Sequence, residues 1–245
     1  MRILFVTRRE YLPQAVGGAE WSTHYLCKGL IEKGDQVGVL CDLKNKGWIS
    51  LRNRLTRRIT KIAFPKDKQM GYPVFRGWGA RKGISEVCQR FKPDLIIVIG
   101  AALNPVEMAT ESLKTRLPVF YQLRDTAFQN HGGALNQLEH VEFISNSEYT
   151  RQQLKEKYGL DSNVVLPPIF PKNCRVEGKG KNVLIINPDP KKGGEIAISI
   201  ADKCPELPFI VQSYDRLPNE FYGKSAVDII HDLQHEVNTQ RNQRI

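Results

Sequence analysis

No apolar run in this sequence reaches the ~18–20 residues that a membrane-spanning helix needs. The longest, Leu95-Ile96-Ile97-Val98-Ile99 with Gly100 to Leu103 behind it, falls far short. The amino terminus, Ile3-Leu4-Phe5-Val6 before Thr7-Arg8-Arg9, is too short for a signal-peptide core and reads as a buried strand. Cysteine is scarce. The five present (Cys27, Cys41, Cys88, Cys174 and Cys204) are an odd number with no C-x-x-C pair, so neither a disulfide framework nor a zinc knuckle is indicated. That usage fits a reducing, cytoplasmic setting, at most peripheral to a membrane. The dinucleotide fingerprint G-x-G-x-x-G is missing. His231 and His235 stand four apart, but without the H-E-x-x-H arrangement or a third ligand no metal is expected.

What is present is ordinary globular material. The 245 residues are 41% apolar and 25% charged, which excludes wholesale disorder. At about 150 residues per domain the length suggests roughly one and a half domains. Lys and Arg total 36 against 26 Asp and Glu, a formal charge of +10. Such an excess suits nucleic acid, an anionic membrane face or a phosphorylated ligand. No zinc-finger spacing, RNP-like aromatic strand or arginine-rich arm occurs, so nucleic acid is not expected.

Short β-branched and aromatic runs recur at 3–6, 37–41, 74–75, 95–99, 119–121, 143–145 and 164–166. They are continuous rather than alternating, as in strands covered on both faces of a parallel sheet. Helical patterns lie between them. One spans 19–33, turns Tyr25, Leu26 and Leu30 inward and stops at Gly34. Another is opened by Ser147 as N-cap, with Glu148 in its first turn, and closes at Gly159. This alternation predicts a doubly wound α/β sheet. Prolines 167, 168 and 171 and Gly178-Lys179-Gly180-Lys181 interrupt it, dividing a Rossmann-like domain at 1–170 from a partial one at 171–245. Past the break come a strand at 183–186, a helix at 193–203 and a strand at 209–211. A polar helix at 226–240 follows, with Val227, Ile230, Leu233 and Val237 on one face.

Two loops between strand and helix suit an anion. Val16-Gly17-Gly18-Ala19-Glu20 lets backbone N–H groups approach a phosphate at a helix start. The same glycines also suit a tight turn with φ > 0. Asn187-Pro188-Asp189-Pro190-Lys191-Lys192-Gly193 places two lysines before a helix, as a diphosphate cradle or as a solvated turn. Arg124-Asp125 follows a predicted strand at its carboxyl end, where ligands of such sheets bind, although a structural ion pair fits equally. A basic stretch at 44–68 holds Lys46, Arg52, Arg54, Arg57, Arg58, Lys61 and Lys66 against a lone Asp67. Trp48, Leu51, Leu55, Ile59 and Ile62 repeat there at helical spacing. Trp48, Arg54, Arg57, Arg58 and Lys61 are therefore candidates for docking on an anionic membrane. The alternative packs the apolar stripe on the sheet.

Six passages in order resemble glycosyltransferase family 4. They are Arg2-Ile3-Leu4-Phe5-Val6 leading to Gly17-Gly18-Ala19-Glu20, and Lys92-Pro93-Asp94-Leu95-Ile96-Ile97; Pro118-Val119-Phe120-Tyr121-Gln122-Leu123-Arg124-Asp125 and Ile144-Ser145-Asn146-Ser147-Glu148-Tyr149-Thr150; and Asn187 to Gly193. The resemblance covers roughly residues 1–211. It implies the GT-B architecture of two Rossmann-like lobes, an acceptor lobe first and a nucleotide-sugar lobe second. It implies transfer of a sugar from a nucleotide-sugar donor to an acceptor hydroxyl, with a sugar or lipid-linked acceptor and no metal or other cofactor. Gly17, Gly18, Lys191, Lys192 and Gly193 would meet the donor diphosphate, and Arg124 and Asp125 would stand at the reacting centre. Many relatives have His-Asp where this chain has Arg124-Asp125. After Tyr214 the family's paired-glutamate segment has no counterpart, because Glu206, Glu220 and Glu236 are too widely spaced. The expectation is thus an acceptor lobe with a shortened donor lobe, weakly active or inactive. The alternative is a non-catalytic GT-B remnant that binds an acceptor or a protein.

Overall fold

The computed structural model describes residues 1–101, 104–170, 180–186 and 193–212. The chain divides into two units, Met1–Cys174 and Arg175–Ile245. In the first unit strands and helices alternate as β1 (Arg2–Glu10), α1 (Gly18–Glu32), β2 (Gln36–Asp42), α2 (Trp48–Thr60), β3 (Lys66–Asp67), β4 (Val74–Gly77) and α3 (Ile84–Phe91). They continue as β5 (Leu95–Gly100), α4 (Pro105–Leu113), β6 (Val119–Leu123), β7 (Val141–Ser145), α5 (Glu148–Tyr158) and β8 (Asn163–Val164).

One eight-stranded sheet runs β3-β4-β2-β1-β5-β6-β7-β8. Every pairing is parallel except β3 on β4, an antiparallel edge that the sequence reading did not contain. The continuous apolar runs follow from coverage on both faces. Along β1, Leu4 and Val6 enter one core cluster with Ile96, Val98 and Met108, while Ile3 and Phe5 enter a second with Val37 and Val39. β1 is central and pairs with both β2 and β5, so the winding reverses there. The crevice beyond the carboxyl ends of β1 and β5 is the place where this architecture binds ligands. β1 also runs past residue 6, with a register shift between Val6 and Glu10, and so carries Thr7, Arg8 and Arg9 toward that crevice.

The helix-end signals hold where they are chemical. Ser147 Oγ accepts from the Thr150 N–H at 3.1 Å, and Gly159 closes α5 at φ 69°. Helix α4 begins with Pro105 in its first turn, a start signal that the sequence reading did not use.

Asp67 is not a solvated acid in a basic run. It is buried on β3 and accepts from Arg76 Nε at 2.7 Å, while Arg52 reaches the same oxygen at 3.3 Å. Arg76, on β4, is fully buried. It also donates to the carbonyl of Tyr11 at 3.1 Å and to that of Leu12. This cluster fastens the sheet edge to the segment that leaves β1.

In the second unit β9 (Val183–Ile186) pairs in parallel with β10 (Phe209–Gln212), and α6 (Gly194–Lys203) lies between them in sequence. Leu184 and Ile186 are each 54% exposed. The described part of this unit, two strands and one helix, encloses little apolar area. The turn expected at 218–223 and the helix expected at 226–240 lie outside the described residues.

Candidate functional site

A cleft of about 380 Å³ opens at the reversal point, lined by Arg9, Gly18, Ser22, Arg124, Asp125 and Asn146 among others. Each arrives from the carboxyl end of a strand or the first two turns of α1.

Gly17 has φ −170° and ψ 177°, an extended conformation open to any residue, so a turn needing φ > 0 is not why glycine stands there. A Cβ on Gly17 would stand 2.6 Å from Glu20 Oε2, whereas one on Gly18 would meet nothing within 4 Å. Gly18 therefore leaves the first turn of α1 uncovered on the cleft side. No side chain caps that helix, so its leading N–H groups remain for a ligand, although the Glu20 carboxylate in the first turn already answers part of its positive end.

Arg124 and Asp125 do not form the ion pair considered from sequence. The Arg124 fork donates to Ser22 Oγ at 2.6 Å, Thr23 Oγ1 at 2.9 Å and Gln122 Oε1 at 2.9 Å. Its Nε is buried with no partner. Burial lowers its pKa to about 10, which still leaves it charged at neutral pH. Arg124 is thus a cation braced between β6 and α1 at the cleft wall.

Asp125 turns the other way. Its Oδ1 accepts from the Ala127 N–H at 2.9 Å and lies 3.6 Å from Nε2 of His131. His131 is wholly buried, stacks on the Tyr121 ring and has Nδ1 2.7 Å from the Tyr121 hydroxyl. Burial opposes ionisation of that phenol, so it keeps its proton and can donate to Nδ1. With the phenol donating to Nδ1, the proton of a neutral imidazole would stand on Nε2, facing Asp125. The His131 ring, with the Ala127 N–H, holds the Asp125 carboxyl below its ordinary 3.8 against the opposing effect of burial. A depressed carboxyl adds stability that is present above its unfolded value and lost as pH falls through the folded one. In an NMR titration Asp125 should therefore protonate below 3.8, and His131→Phe should move that midpoint up; an unmoved midpoint would break the link.

The sequence reading missed His131 altogether, because nothing in the spacing brings it to Asp125. Arg9 and Ser22 were equally silent. Asn146 sat in a quoted passage without a role. Its Nδ2 donates to the Arg124 carbonyl at 2.9 Å, and its Oδ1 accepts from Thr150 at 2.7 Å, so it ties the end of β6 to α5.

The remaining expected site residues fall elsewhere. Lys191 and Lys192 lie outside the described residues. Gly193, in the second unit, precedes α6 in a left-handed conformation at φ 84°. The basic helix is shorter than the 44–68 stretch. α2 ends at Thr60, so Ile62 is not on it, and its apolar stripe does not pack on the sheet. Among the described residues, no group of three or more His, Cys, Asp or Glu is placed to hold a metal ion.

The model of Glycosyltransferase Family 4 matches residues 16–169, more than half of the sequence. The chain belongs to that family. Its fold is GT-B-like, as the family 4 chain's similarity to solved structures shows. An α-glucosyltransferase in complex with UDP and a 13-mer DNA matches with a TM-score of 0.58 at 12% identity, over 89% of this chain and 58% of that one. The UDP-GlcNAc 2-epimerase of Neisseria meningitidis, bound to UDP-GlcNAc, matches with a TM-score of 0.51 at 12% identity, over 98% and 70%. The S. aureus MnaA–UDP structure gives 0.51 at 10% identity, over 94% and 70%. The family 4 chain thus spans 58% of the length of the α-glucosyltransferase. No curated protein sequence matches it.

Proposed function

We propose that this family 4 chain binds a nucleotide-sugar through its diphosphate and serves transfer of the sugar to an acceptor hydroxyl. The observation that supports the reading best is the meeting of an open glycine, an uncapped helix start and a braced arginine in the cleft at the sheet's reversal point. The diphosphate becomes a better leaving group as its growing charge is met by fixed dipoles and cations, a contribution that needs no metal. In this proposal Gly17 and Gly18 admit the phosphates to the N–H groups of α1. Arg124 supplies fixed positive charge, and by the family resemblance Lys191, Lys192 and Gly193 bind diphosphate as well. Asp125, ionised at neutral pH, accepts a hydrogen bond from the acceptor hydroxyl and orients it. The acceptor we infer is a sugar or a lipid-linked sugar, and the setting is the cytoplasm at the inner face of a membrane. UDP-bound relatives and the family match support the nucleotide-sugar part alone.

Calorimetric titration of UDP and GDP into the purified chain tests the reading. Lys192→Ala should weaken nucleoside-diphosphate binding by about 1–3 kcal/mol, the loss of one charge-assisted contact. Equal affinities for wild type and variant would remove Lys192 from the site. No binding of either nucleotide by the wild type would remove the proposal.

A further inference from the structure

Helix α2 is built inside out. Its inward positions are Ile49, Ser50 and Asn53, and the last two are polar. Ser50 accepts from Gln14 Nε2 at 3.3 Å, and Asn53 donates to the carbonyl of Arg76 at 3.2 Å. Its outward ridge is apolar. Trp48 is 70% exposed, Leu51 51%, Leu55 52% and Ile59 80%. At 3.6 residues per turn these four fall on one stripe, on the side opposite Asn53. A helix held by hydrogen bonds while it presents its large apolar side chains to water is the reverse of ordinary packing, and such a stripe marks a docking face.

The charges say which partner fits. From residue 43 to residue 66 there is no acidic side chain. Among the described residues no carboxylate pairs with Arg54, Arg57, Arg58 or Lys61. Arg54 and Arg57 lean back over the Trp78 ring, at 5.4 and 5.0 Å, so they flank the stripe rather than crown it. Arg58 and Lys61 are exposed beside Ile59. Nucleic acid would call for cations outermost, reaching phosphates. A ridge of Trp, Leu and Ile with arginines set behind it matches a bilayer surface instead: apolar groups enter the acyl boundary while cations stay level with anionic headgroups.

We infer that α2 is a membrane-docking helix that lies in the plane of an anionic lipid surface with Trp48, Leu51, Leu55 and Ile59 immersed. The surface stands on its own geometry. It rests on the transferase reading only for what the membrane would offer, a lipid-linked acceptor.

Co-sedimentation of the full chain with phosphatidylglycerol–phosphatidylcholine vesicles and with phosphatidylcholine vesicles tests it. The expected result is binding to the first alone, release by salt and a blue shift of Trp48 emission that disappears in Trp48→Phe. Leu51→Gln/Leu55→Gln/Ile59→Gln should bring binding down to the phosphatidylcholine level. Arg58→Glu/Lys61→Glu should lower it at least ~10-fold, because each surface cation is worth about a kcal/mol near such a membrane. All these positions are exposed, so the variants should keep the wild-type circular dichroism spectrum and UDP affinity. That separates failure here from failure of the nucleotide reading. Absent vesicle binding, or binding unchanged by the apolar triple variant, overturns the inference. So does concentration-dependent self-association, or retention on duplex DNA, that the same substitutions abolish while vesicles stay unbound.

Discussion

Asp67→Ala should lower the stability of the first unit by about 3–5 kcal/mol, the cost of leaving a buried charge without its partner. The charge at issue is Arg76, fully buried and 2.7 Å from the Asp67 carboxylate. Removing Asp67 leaves a guanidinium whose other acceptors are the carbonyls of Tyr11 and Leu12 and the sulfur of Cys41. Those neutral groups cannot offset a full charge in the interior. Urea unfolding followed by tryptophan fluorescence measures the effect, and Asp67→Asn should lose less, because the amide oxygen can still accept. A loss below about 1 kcal/mol for Asp67→Ala would mean that water reaches Arg76, placing the pair with surface ion pairs. The effect should extend to the cleft. Tyr11 and Leu12 lie between β1 and Gly17, and the Tyr11 hydroxyl is 2.7 Å from that of Tyr72, which in turn is 2.7 Å from Nδ1 of His24 on α1. Loosening Arg76 loosens this string, so UDP affinity should fall together with stability.

The same cluster shows where sequence pattern stops being informative. Central strands were legible because burial on both faces favours runs without polar side chains, and residues 3–6, 37–41 and 95–99 all show it. Helix α5 was legible because its cap and its terminating glycine are local chemistry. β4 was legible from Val74 and Phe75, but its antiparallel partner β3 was not. Asp67 on β3 and Arg76 at the end of that apolar run look like surface residues until tertiary contacts pair them. Periodicity placed Trp48, Leu51, Leu55 and Ile59 on one face of α2 but could not say which way that face turns. Only the bond that Ser50 accepts from Gln14 and the bond that Asn53 donates to the Arg76 carbonyl decide it. In the cleft, Gly17, Gly18, Arg124 and Asp125 were named from loops that follow strands, a rule of topology. His131 escaped because its tie to Asp125 crosses a 3-10 turn with no sequence signature, and Arg9 because β1 outruns its apolar run.

Under the proposed function, Arg124→Met should lower whatever sugar transfer the chain supports by roughly 10²–10³-fold, the usual consequence of removing one preorganised group that meets charge developing in the transition state. Methionine keeps much of the length and apolar stem, so the cleft wall should persist. Ser22 and Thr23 already donate to the carbonyls of Gly18 and Ala19, both at 2.7 Å, and those bonds need no arginine. The buried Gln122 loses a donor, a cost of about 1–3 kcal/mol in stability that unfolding experiments can subtract. UDP affinity should fall by a smaller factor, about tenfold, since ground-state phosphate already carries charge while the departing diphosphate gains more. Arg124→Lys is the informative companion. It restores a positive charge but cannot reach three acceptors at once, so it should recover UDP binding more fully than rate. If Arg124 is only a strut between β6 and α1, the pattern changes: stability drops in Arg124→Met, UDP binds as before, and Arg124→Lys mends nothing in the kinetics. The ratio of the loss in kcat to the loss in UDP affinity therefore separates a cation that acts on the leaving group from one that merely holds the wall.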